Sequence, residues 1–257
     1  MCSTCFLYII NPIILEIVNK TFNYLNADAY ARLFSAFRLT QSQVQQEVFV
    51  LMRNCFSTHG FFVEFGATDG KTLSNTFLLE KYMDWKGILV EPNKSYHKAL
   101  KENRNCIIDK RCIYKTSNQK IKFSENQDVG ELSAIEEYLP KEETAKDHIN
   151  LQRAIKLKDT NTKTYKVETV SLLDLLDQHN APKLIDYISI DTEGSEYDIL
   201  KAFDFDKYTF RTITVEHNFE NYREKIQELL EEKGYVRVLT EVSRYDDWYI
   251  NPQAEVT

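Results

Sequence analysis

The predicted fold depends on the stretch FFVEFGATDG, residues 61–70. Its first five residues are aromatic or β-branched, apart from Glu64, and such a run is typical of a buried strand. Gly66 and Gly70 follow, and a glycine lets the backbone turn tightly and approach a ligand because it has no Cβ. The stretch therefore predicts a strand that ends in a carboxylate and a glycine-containing turn.

A second apolar run, GILVE at residues 87–91, lies about twenty residues further on and also ends in a carboxylate. A glycine turn after one strand and an acid at the tip of the next are typical of nucleoside sites, where the acid accepts hydrogen bonds from ribose hydroxyls. The alternative is that Gly66 and Gly70 only form a sharp strand-to-helix turn. The spacing of Glu91 favours a ligand site.

The turn also indicates which nucleoside is bound. A dinucleotide site reads G-x-G-x-x-G and places helix amides on a pyrophosphate. Here the turn lacks the paired glycines and contains Asp69, an anion that suits a cationic ligand better than a phosphate. S-adenosylmethionine (SAM) carries a sulfonium, an ammonium and a ribose. We therefore favour SAM over a dinucleotide, with Glu64 and Asp69 facing the methionyl half and Glu91 facing the ribose.

Two blocks of sequence resemble the FkbM family of SAM-dependent methyltransferases. The first contains FVEFGA (62–67), DG (69–70), LSNT (73–76) and GILVEPN (87–93), and the second is DYISIDTEGSE (186–196). The resemblance covers about residues 41–240. It implies methyl transfer from SAM to a hydroxyl group on a sugar, a glycan or a secondary metabolite.

Positions within these blocks, together with one further acid, are the expected cofactor contacts. Asp109 ends the third predicted strand, whose tip borders the adenine in a doubly wound sheet, although an aspartate there is equally explained as a turn residue. The expected cofactor-binding residues are Glu64, Gly66, Ala67, Asp69, Gly70, Ser74, Asn75, Glu91, Pro92, Asn93, Asp109 and Asp191.

Strand and helix patterns alternate along the chain, which predicts an α/β fold: a Rossmann-like, doubly wound, mostly parallel sheet of the class I methyltransferase type. Residues 236–239 and 248–250 supply an antiparallel C-terminal strand pair. Ser42 and Gln45 resemble a capping box and predict a helix over residues 42–56. Residues 112–114 and 121–123 are expected to form a hairpin.

The expected domain organisation is a helical N-terminal extension at residues 1–40 and a methyltransferase domain at residues 41–257. Residues 124–164 are charged and weakly periodic, and an insertion of this length after the third strand predicts a substrate lid. The apolar stretch 6–18 is too short to cross a membrane and lacks the basic region of a signal peptide. No transmembrane segment is therefore expected.

Charge and cysteine content restrict the partners and the compartment. The 257 residues carry a net charge of −7, which opposes general nucleic-acid binding, so no nucleic-acid partner is expected. The five cysteines are odd in number and scattered, a pattern typical of reduced thiols in the cytoplasm. The expected partners are a small-molecule or glycan hydroxyl acceptor and, for a homodimer, a second copy of the chain.

Two residues are candidates for the base that accepts the proton of the hydroxyl group. His217 follows a predicted strand tip, and an ordinary histidine pKa of about 6.5 suits proton transfer near neutrality. Its alternative is a loop histidine hydrogen-bonded to Glu216. Asp191, at the tip of the fourth predicted strand, is the second candidate.

The acids of the second block allow other interpretations. Asp191, Glu193 and Glu196, or Asp191 and Glu193 with Glu216, could bind a divalent cation, but Glu193 and Glu196 also fit a helix N-terminus, and we favour no metal. The sequence Asp191-Thr192-Glu193 also imitates the D-x-D element of a metal-dependent glycosyltransferase. A catalytically silent Rossmann-fold binding protein is the third possibility.

Overall fold

A computed structural model describes residues 27–139, 160–217 and 222–254, with side chains from residue 31 onward. The strands are β1 Phe61–Phe65, β2 Lys86–Val90, β3 Ile107–Asp109, β4 Cys112–Ile113, β5 Lys120–Asn126, β6 Ala134–Ile135, β7 Thr162–Val170, β8 Leu184–Ile190, β9 Thr209–Glu216, β10 Val236–Val238 and β11 Asp246–Ile250. The α-helices are α1 Ala27–Leu39, α2 Gln46–Arg53, α3 Phe77–Met83, α4 His97–Asn103, α5 Leu172–Gln178, α6 Glu196–Ala202 and α7 Arg223–Glu232. Two 3₁₀ turns are Gly130–Leu132 and Glu136–Tyr138.

Seven strands form the main sheet in the order β10-β11-β9-β8-β1-β2-β3. β9, β8, β1, β2 and β3 are parallel to one another, whereas β11 runs antiparallel to both β9 and β10. The predicted Rossmann-like fold with an antiparallel C-terminal pair is therefore confirmed. Because the strand order reverses at β1, the tips of β1 and β8 lie at the switch point where ligands of such sheets bind.

Apolar side chains cover both faces of the sheet. Along β1, Phe62 packs with α1, α2, α3 and α4, whereas Val63 and Phe65 pack on the opposite face with α5, α6 and α7. Successive strand residues point to opposite faces, so a strand covered on both sides must be apolar at nearly every position. This requirement explains the continuous apolar run of residues 61–65 and makes the charged residue within it, Glu64, informative.

The predicted capping box at Ser42 is wrong, because α2 begins only at Gln46. The N-cap is Gln45, whose φ is 65° and whose side chain makes no capping bond, while Ser42 forms a β-bridge with Leu73. Buried Glu47 explains the shift: its carboxylate accepts hydrogen bonds from the backbone N–H of residue 41 at 3.0 Å and from the backbone N–H of Leu78 at 2.5 Å. The carboxylate thus holds the preceding chain in an extended path over the start of α3.

The predicted hairpin of residues 112–114 and 121–123 is also wrong. β4 and β5 each pair with β7, in parallel and antiparallel orientation respectively, and the second sheet has the order β4-β7-β5-β6. Thr169 of β7 explains the path, because its carbonyl oxygen accepts from Asn118 N–H at 3.0 Å and its hydroxyl donates to the Thr116 carbonyl oxygen at 2.7 Å. The connection is therefore held against β7 and cannot close a hairpin.

Part of the predicted lid belongs to this second sheet. Residues 124–126 complete β5, residues 134–135 form β6, and residues 162–164 begin β7. Residues 140–159 lie outside the described part of the chain, so the lid itself remains a prediction. The described part of the N-terminal extension is helix α1, which packs on the sheet through Leu33 and Ala36.

Within the described residues, no helix combines the length and the apolar character that a membrane crossing requires.

Candidate functional site

A cleft lies along the carboxyl edge of the main sheet. It encloses about 1100 Å³, including the space open to solvent, and is bordered by the tips of β1, β2, β8 and β9, the start of β11 and part of the second sheet. Seven of the predicted cofactor residues line it: Glu64, Gly66, Ser74, Asn75, Glu91, Pro92 and Asp191. The others, Ala67, Asp69, Gly70, Asn93 and Asp109, are not among the residues found to line the cleft.

Gly66 follows β1 and packs against Asp191, which follows β8, at the centre of the cleft. Its φ is +68°, and a Cβ at this position would lie 2.4 Å from the carbonyl oxygen of Asp191. An L-residue would be strained by both the backbone conformation and this contact. Glycine at position 66 therefore allows the two strand tips that frame the cleft to lie side by side.

Glu64 lines the cleft, but its carboxylate is mainly used to fix a neighbouring loop. Oε1 accepts from the backbone N–H of Asn75 at 2.7 Å, and Oε2 accepts from the Ser74 hydroxyl at 3.0 Å and the Thr76 hydroxyl at 2.5 Å. The predicted contact between Glu64 and the methionyl half of a ligand remains a prediction. What the structure gives is a carboxylate that orders the loop of residues 70–76.

Asp69 has a similar local role. One carboxylate oxygen accepts from the backbone N–H groups of Lys71 at 2.8 Å and Thr72 at 2.7 Å, and the other accepts from the Thr72 hydroxyl at 2.8 Å. The acid therefore stabilises the turn after Gly70. Its direct contact with a ligand, like that of Ala67 and Gly70, remains a prediction.

Glu91 lies at the tip of β2, where it is buried and lines the cleft. Its Oε2 accepts from the Thr68 backbone N–H and its Oε1 from the Asn93 backbone N–H, both at 2.7 Å. Burial raises the pKa of this carboxyl to about 7. Each oxygen keeps a second lone pair, so Glu91 can still accept hydrogen bonds from a ligand's hydroxyl groups.

Asn93 and Asp109 are occupied by other partners. Asn93 is buried and donates through Nδ2 to the Ser133 hydroxyl at 3.1 Å, which ties the tip of β2 to the second sheet. The Asp109 carboxylate pairs with Arg111 at 2.6 Å and lies 3.2 Å from His179 Nε2. The turn-residue alternative therefore fits Asp109 better than the predicted adenine contact.

A row of carboxylates crosses the other half of the cleft. Asp191 follows β8, Glu216 ends β9, and Asp246 begins β11 directly opposite Glu216. Burial, together with the charges of Asp191 and Glu193, raises the pKa of Glu216 well above its usual range. Burial raises the pKa of Asp246 to about 7. Burial disfavours the charged form of both carboxyl groups, and the neighbouring acids add repulsion.

The family description "Methyltransferase FkbM domain" matches residues 64–237, about two thirds of the chain. The chain belongs to the FkbM methyltransferase family. The suspected family is therefore confirmed, and the protein is a methyltransferase of a family that uses SAM. The matched region contains the second block and all of the first block except residues 62–63, and it ends within β10, before the second member of the C-terminal strand pair.

Three solved structures resemble the chain in fold, and two of them are named as methyltransferases. Methyltransferase FkbM from Methylobacillus flagellatus KT is 12% identical, with 91% of this chain and 60% of that chain covered and a TM-score of 0.43. Precorrin-6y C5,15-methyltransferase from Geobacter metallireducens GS-15 is 13% identical, with 82% and 88% covered and a TM-score of 0.41. A fibrillarin/Nop5p complex gives 13% identity, coverage of 81% and 79%, and a TM-score of 0.40. Comparison with curated proteins gave no match.

The FkbM-family chain places the predicted alternative metal ligands close together. One carboxylate oxygen from each of Asp191, Glu193 and Glu216 lies within 4.8 Å of the other two. Glu196 instead accepts from the backbone N–H of Thr192 at 2.8 Å and of Gly194 at 3.0 Å. Glu196 therefore stabilises the turn before α6, which agrees with the helix-terminus interpretation for this residue.

His217 does not fit the role of a base that contacts the acceptor. Its backbone N–H donates to the Tyr245 carbonyl oxygen at 2.8 Å, and Nε2 lies 3.8 Å from Oδ1 of Asp247, which also pairs with Arg223 at 2.8 Å. Burial lowers the pKa of His217 to about 4. His217 is also not among the residues found to line the cleft, whereas Asp191 is. Of the two predicted bases, Asp191 has the better position.

We expect the His217 imidazole to stay neutral from pH 8 down to about pH 5. A lowered pKa means that the folded state favours the neutral ring, so the free energy of unfolding falls as the pH drops from about 6.5 toward 4, and the folded ring takes a proton only near pH 4. The measurement is an NMR titration of the imidazole protons, assigned with His217→Gln. A midpoint near the ordinary value of about 6.5 would contradict the placement of this ring.

Two residues that line the cleft, Asp246 and Gln46, are not predicted by the sequence patterns. Gln46 Nε2 donates to Asp246 Oδ2 at 2.7 Å across 200 positions of sequence. The patterns indicate ligand residues at the ends of strands, but β11 runs antiparallel, so its first residue lies at the same edge as the last residues of β8 and β9. The predicted antiparallel pair could have given this signal for Asp246.

Proposed function

We propose that this FkbM-family protein transfers the methyl group of SAM to a hydroxyl group of a sugar, a glycan or a secondary metabolite. The observation that carries the proposal is the position of Glu91, a buried carboxylate that lines the cleft at the tip of β2, beside the turn that contains Gly66. An acid at this place is suited to accept hydrogen bonds from ribose hydroxyls.

The charge of the cleft supports SAM rather than a phosphate-containing cofactor. Its lining includes Glu64, Glu91, Glu131, Asp191, Glu193, Glu216 and Asp246, and no lysine or arginine is among the lining residues identified in the described chain. Anionic walls repel a pyrophosphate and attract a sulfonium or an ammonium. With Glu91 on the ribose, the methionyl half would extend toward the loop of residues 70–76.

The residues of the carboxylate row would handle the acceptor's proton. When the acceptor oxygen forms a bond to the methyl carbon, the S–CH₃ bond breaks and its electron pair stays on sulfur, while the hydroxyl proton passes to a carboxylate. Asp191 is the proposed base because it lines the cleft next to Glu216. Burial and neighbouring charge favour the protonated form of Glu216, so Asp191 is the carboxylate of the pair proposed to accept the proton.

Calorimetric titration of the purified protein with SAM, NAD and a sugar nucleotide tests the cofactor. Saturable binding of SAM with no binding of the other two supports the proposal, and its absence in a folded sample contradicts it. A screen of sugars, glycans and hydroxylated metabolites, read out as S-adenosylhomocysteine release, then identifies the acceptor. Asp191→Asn should abolish transfer and retain SAM binding, which also distinguishes an enzyme from a silent binding protein.

The close approach of Asp191, Glu193 and Glu216 supports one variant of this function, in which a divalent cation assists the acceptor. Oxygen ligands of this type suit Mg²⁺ or Ca²⁺. Loss of transfer after treatment with EDTA, restored by added Mg²⁺, would support the variant, and unchanged transfer would contradict it. The glycosyltransferase alternative is not retained, since the chain belongs to a methyltransferase family.

We further propose a cytoplasmic protein without a nucleic-acid partner. Three of the five cysteines, Cys55, Cys106 and Cys112, lie in the described residues as free thiols, and the net charge is −7. Both features support the proposal, since reduced thiols suit a reducing compartment and a negative surface repels phosphate backbones.

A further inference from the structure

Arg104 is a buried cation that holds the loop of residues 70–76, one wall of the cleft. It follows α4 and is 2% exposed. Nη1 donates to the Gly70 carbonyl oxygen at 3.0 Å and to the Ser74 hydroxyl at 3.1 Å. Nη2 donates to the hydroxyl of Thr76 at 2.9 Å and to its carbonyl oxygen at 3.3 Å. One guanidinium therefore fixes the loop at three positions.

Two carboxylates compensate the charge of Arg104. Nε donates to Oε2 of Glu80 at 2.5 Å, and Nη1 lies 3.6 Å from Oε2 of Glu64. A buried cation is costly unless it is paired and hydrogen-bonded, and here its partners come from β1, α3 and the loop itself. The close fit extends to Gly70, where a Cβ would lie 2.7 Å from Cγ of Arg104.

The loop presents Asn75 to the cleft. Its backbone N–H is held by Glu64 at 2.7 Å, and its Nδ2 donates to the Ser189 hydroxyl at 2.9 Å. Asn75 lines the cleft, and its Oδ1 is buried without a hydrogen-bond partner among the described residues. Buried acceptors are nearly always hydrogen-bonded in folded proteins. The missing partner of this oxygen therefore indicates a ligand that donates a hydrogen bond to it.

We propose that Arg104 is a positioning residue for the cofactor, which holds residues 70–76 so that Asn75 Oδ1 accepts a hydrogen bond from the ammonium group of SAM. The inference rests on the proposed function and adds to it the part of SAM that this loop recognises. Arg104 does not touch the ligand in this arrangement and acts only through the loop.

The test compares two ligands in calorimetric titrations of Arg104→Met. SAM carries the ammonium group, whereas 5′-methylthioadenosine has the same adenosine and lacks the amino and carboxyl groups. We expect the affinity for SAM to fall about tenfold or more, corresponding to the loss of one charge-assisted hydrogen bond. The affinity for 5′-methylthioadenosine should change less than about twofold, since its contacts lie at Glu91.

Arg211→Met is the matched control, because Arg211 is a partly buried arginine paired with Asp186 at 3.0 Å, at the opposite edge of the sheet. It should alter neither affinity. Glu80→Gln is the milder variant if Arg104→Met does not fold, because it keeps the arginine and removes one of its charged partners. It should shift the ratio of the two affinities in the same direction.

Four outcomes separate the hypotheses. An equal loss of both ligands would show that Arg104 only maintains the fold, and unchanged SAM binding in a folded Arg104→Met or Glu80→Gln would also overturn the inference. If the unaltered protein itself fails to bind SAM, the proposed function fails, and the inference fails with it. Selective loss of SAM affinity supports both.

Discussion

At pH 8, above the Glu91 pKa of about 7, Glu91→Ala is expected to weaken SAM binding about 100-fold, because the ribose hydroxyls lose a charged acceptor at both oxygens. Two charge-assisted hydrogen bonds at about 1.5 kcal/mol each correspond to roughly this factor. The substitution also leaves the backbone N–H groups of Thr68 and Asn93 without their present acceptors. Calorimetry with SAM measures the affinity. Thermal unfolding measures the stability that is lost when the backbone N–H groups of Thr68 and Asn93 lose their acceptors.

Glu91→Gln separates the charge from the shape at this position. Glutamine keeps one oxygen but places an NH₂ group toward one of the two backbone N–H donors, so we expect an intermediate loss of about tenfold. The matched control is Glu168→Ala, an exposed acid on β7, which should bind SAM as the unaltered protein does. A folded Glu91→Ala protein with unchanged SAM affinity would remove Glu91 from the site and with it the main support for the proposed function.

The parallel part of the fold is predictable because its strands are covered on both faces. Residues 61–65, 88–90 and 184–190 must be nearly continuous apolar runs, and such runs are visible in the sequence. The carboxylates near the carboxyl ends of these runs are visible for the same reason, since a charge near the end of an apolar run marks the edge of the sheet. The sequence pattern therefore suffices to place Glu64, Glu91 and Asp191 at the cleft.

The second sheet could not be predicted because its pairing is set by contacts between distant residues. β4 and β5 resemble the two arms of a hairpin, and only the hydrogen bonds of Thr169 reveal that β7 lies between them. Likewise, the residues at 42–45 fit a capping box locally. The Glu47 carboxylate, however, accepts hydrogen bonds from the backbone N–H groups of residue 41 and Leu78, and the helix begins only at Gln46. Long-range hydrogen bonds of buried side chains overrode local propensity in both places.

The roles of individual acids depend on which donors surround them, and a sequence does not contain this information. The sequence predicts that Glu64 and Asp69 face a ligand, yet both accept hydrogen bonds from donors in residues 71–75. The sequence patterns give Arg104 no role, although it pairs with Glu64, which lines the cleft, and with Glu80. Carboxylates near a glycine turn can therefore order the turn as well as bind the ligand, and only geometry distinguishes the two.

Asp246→Asn is expected to make the protein's stability less dependent on pH. The pKa of Asp246 is raised by burial from 3.8 to about 7, with further contributions from the charges of Asp191 and Asp247. A raised pKa means that the folded state favours the protonated acid, so this stabilisation is complete below about pH 3.8 and is lost as the pH rises through 7. Asparagine does not titrate and can still accept the hydrogen bond from Gln46.

The expected difference follows from the same linkage. Between pH 5 and pH 8 the free energy of unfolding of the unaltered protein should fall by about 2.5 kcal/mol more than that of Asp246→Asn. Urea unfolding at a series of pH values measures this difference, with exposed Asp206→Asn as the control that should run parallel to the unaltered protein. If the stability of Asp246→Asn depends on pH in the same way as that of the unaltered protein, the raised pKa of Asp246 is contradicted. If Asp246→Asn is more stable than the unaltered protein at pH 8 but transfers methyl groups more slowly, the Asp246 carboxylate acts on the acceptor. Its repulsion with the neighbouring acids is then a stability cost of that function.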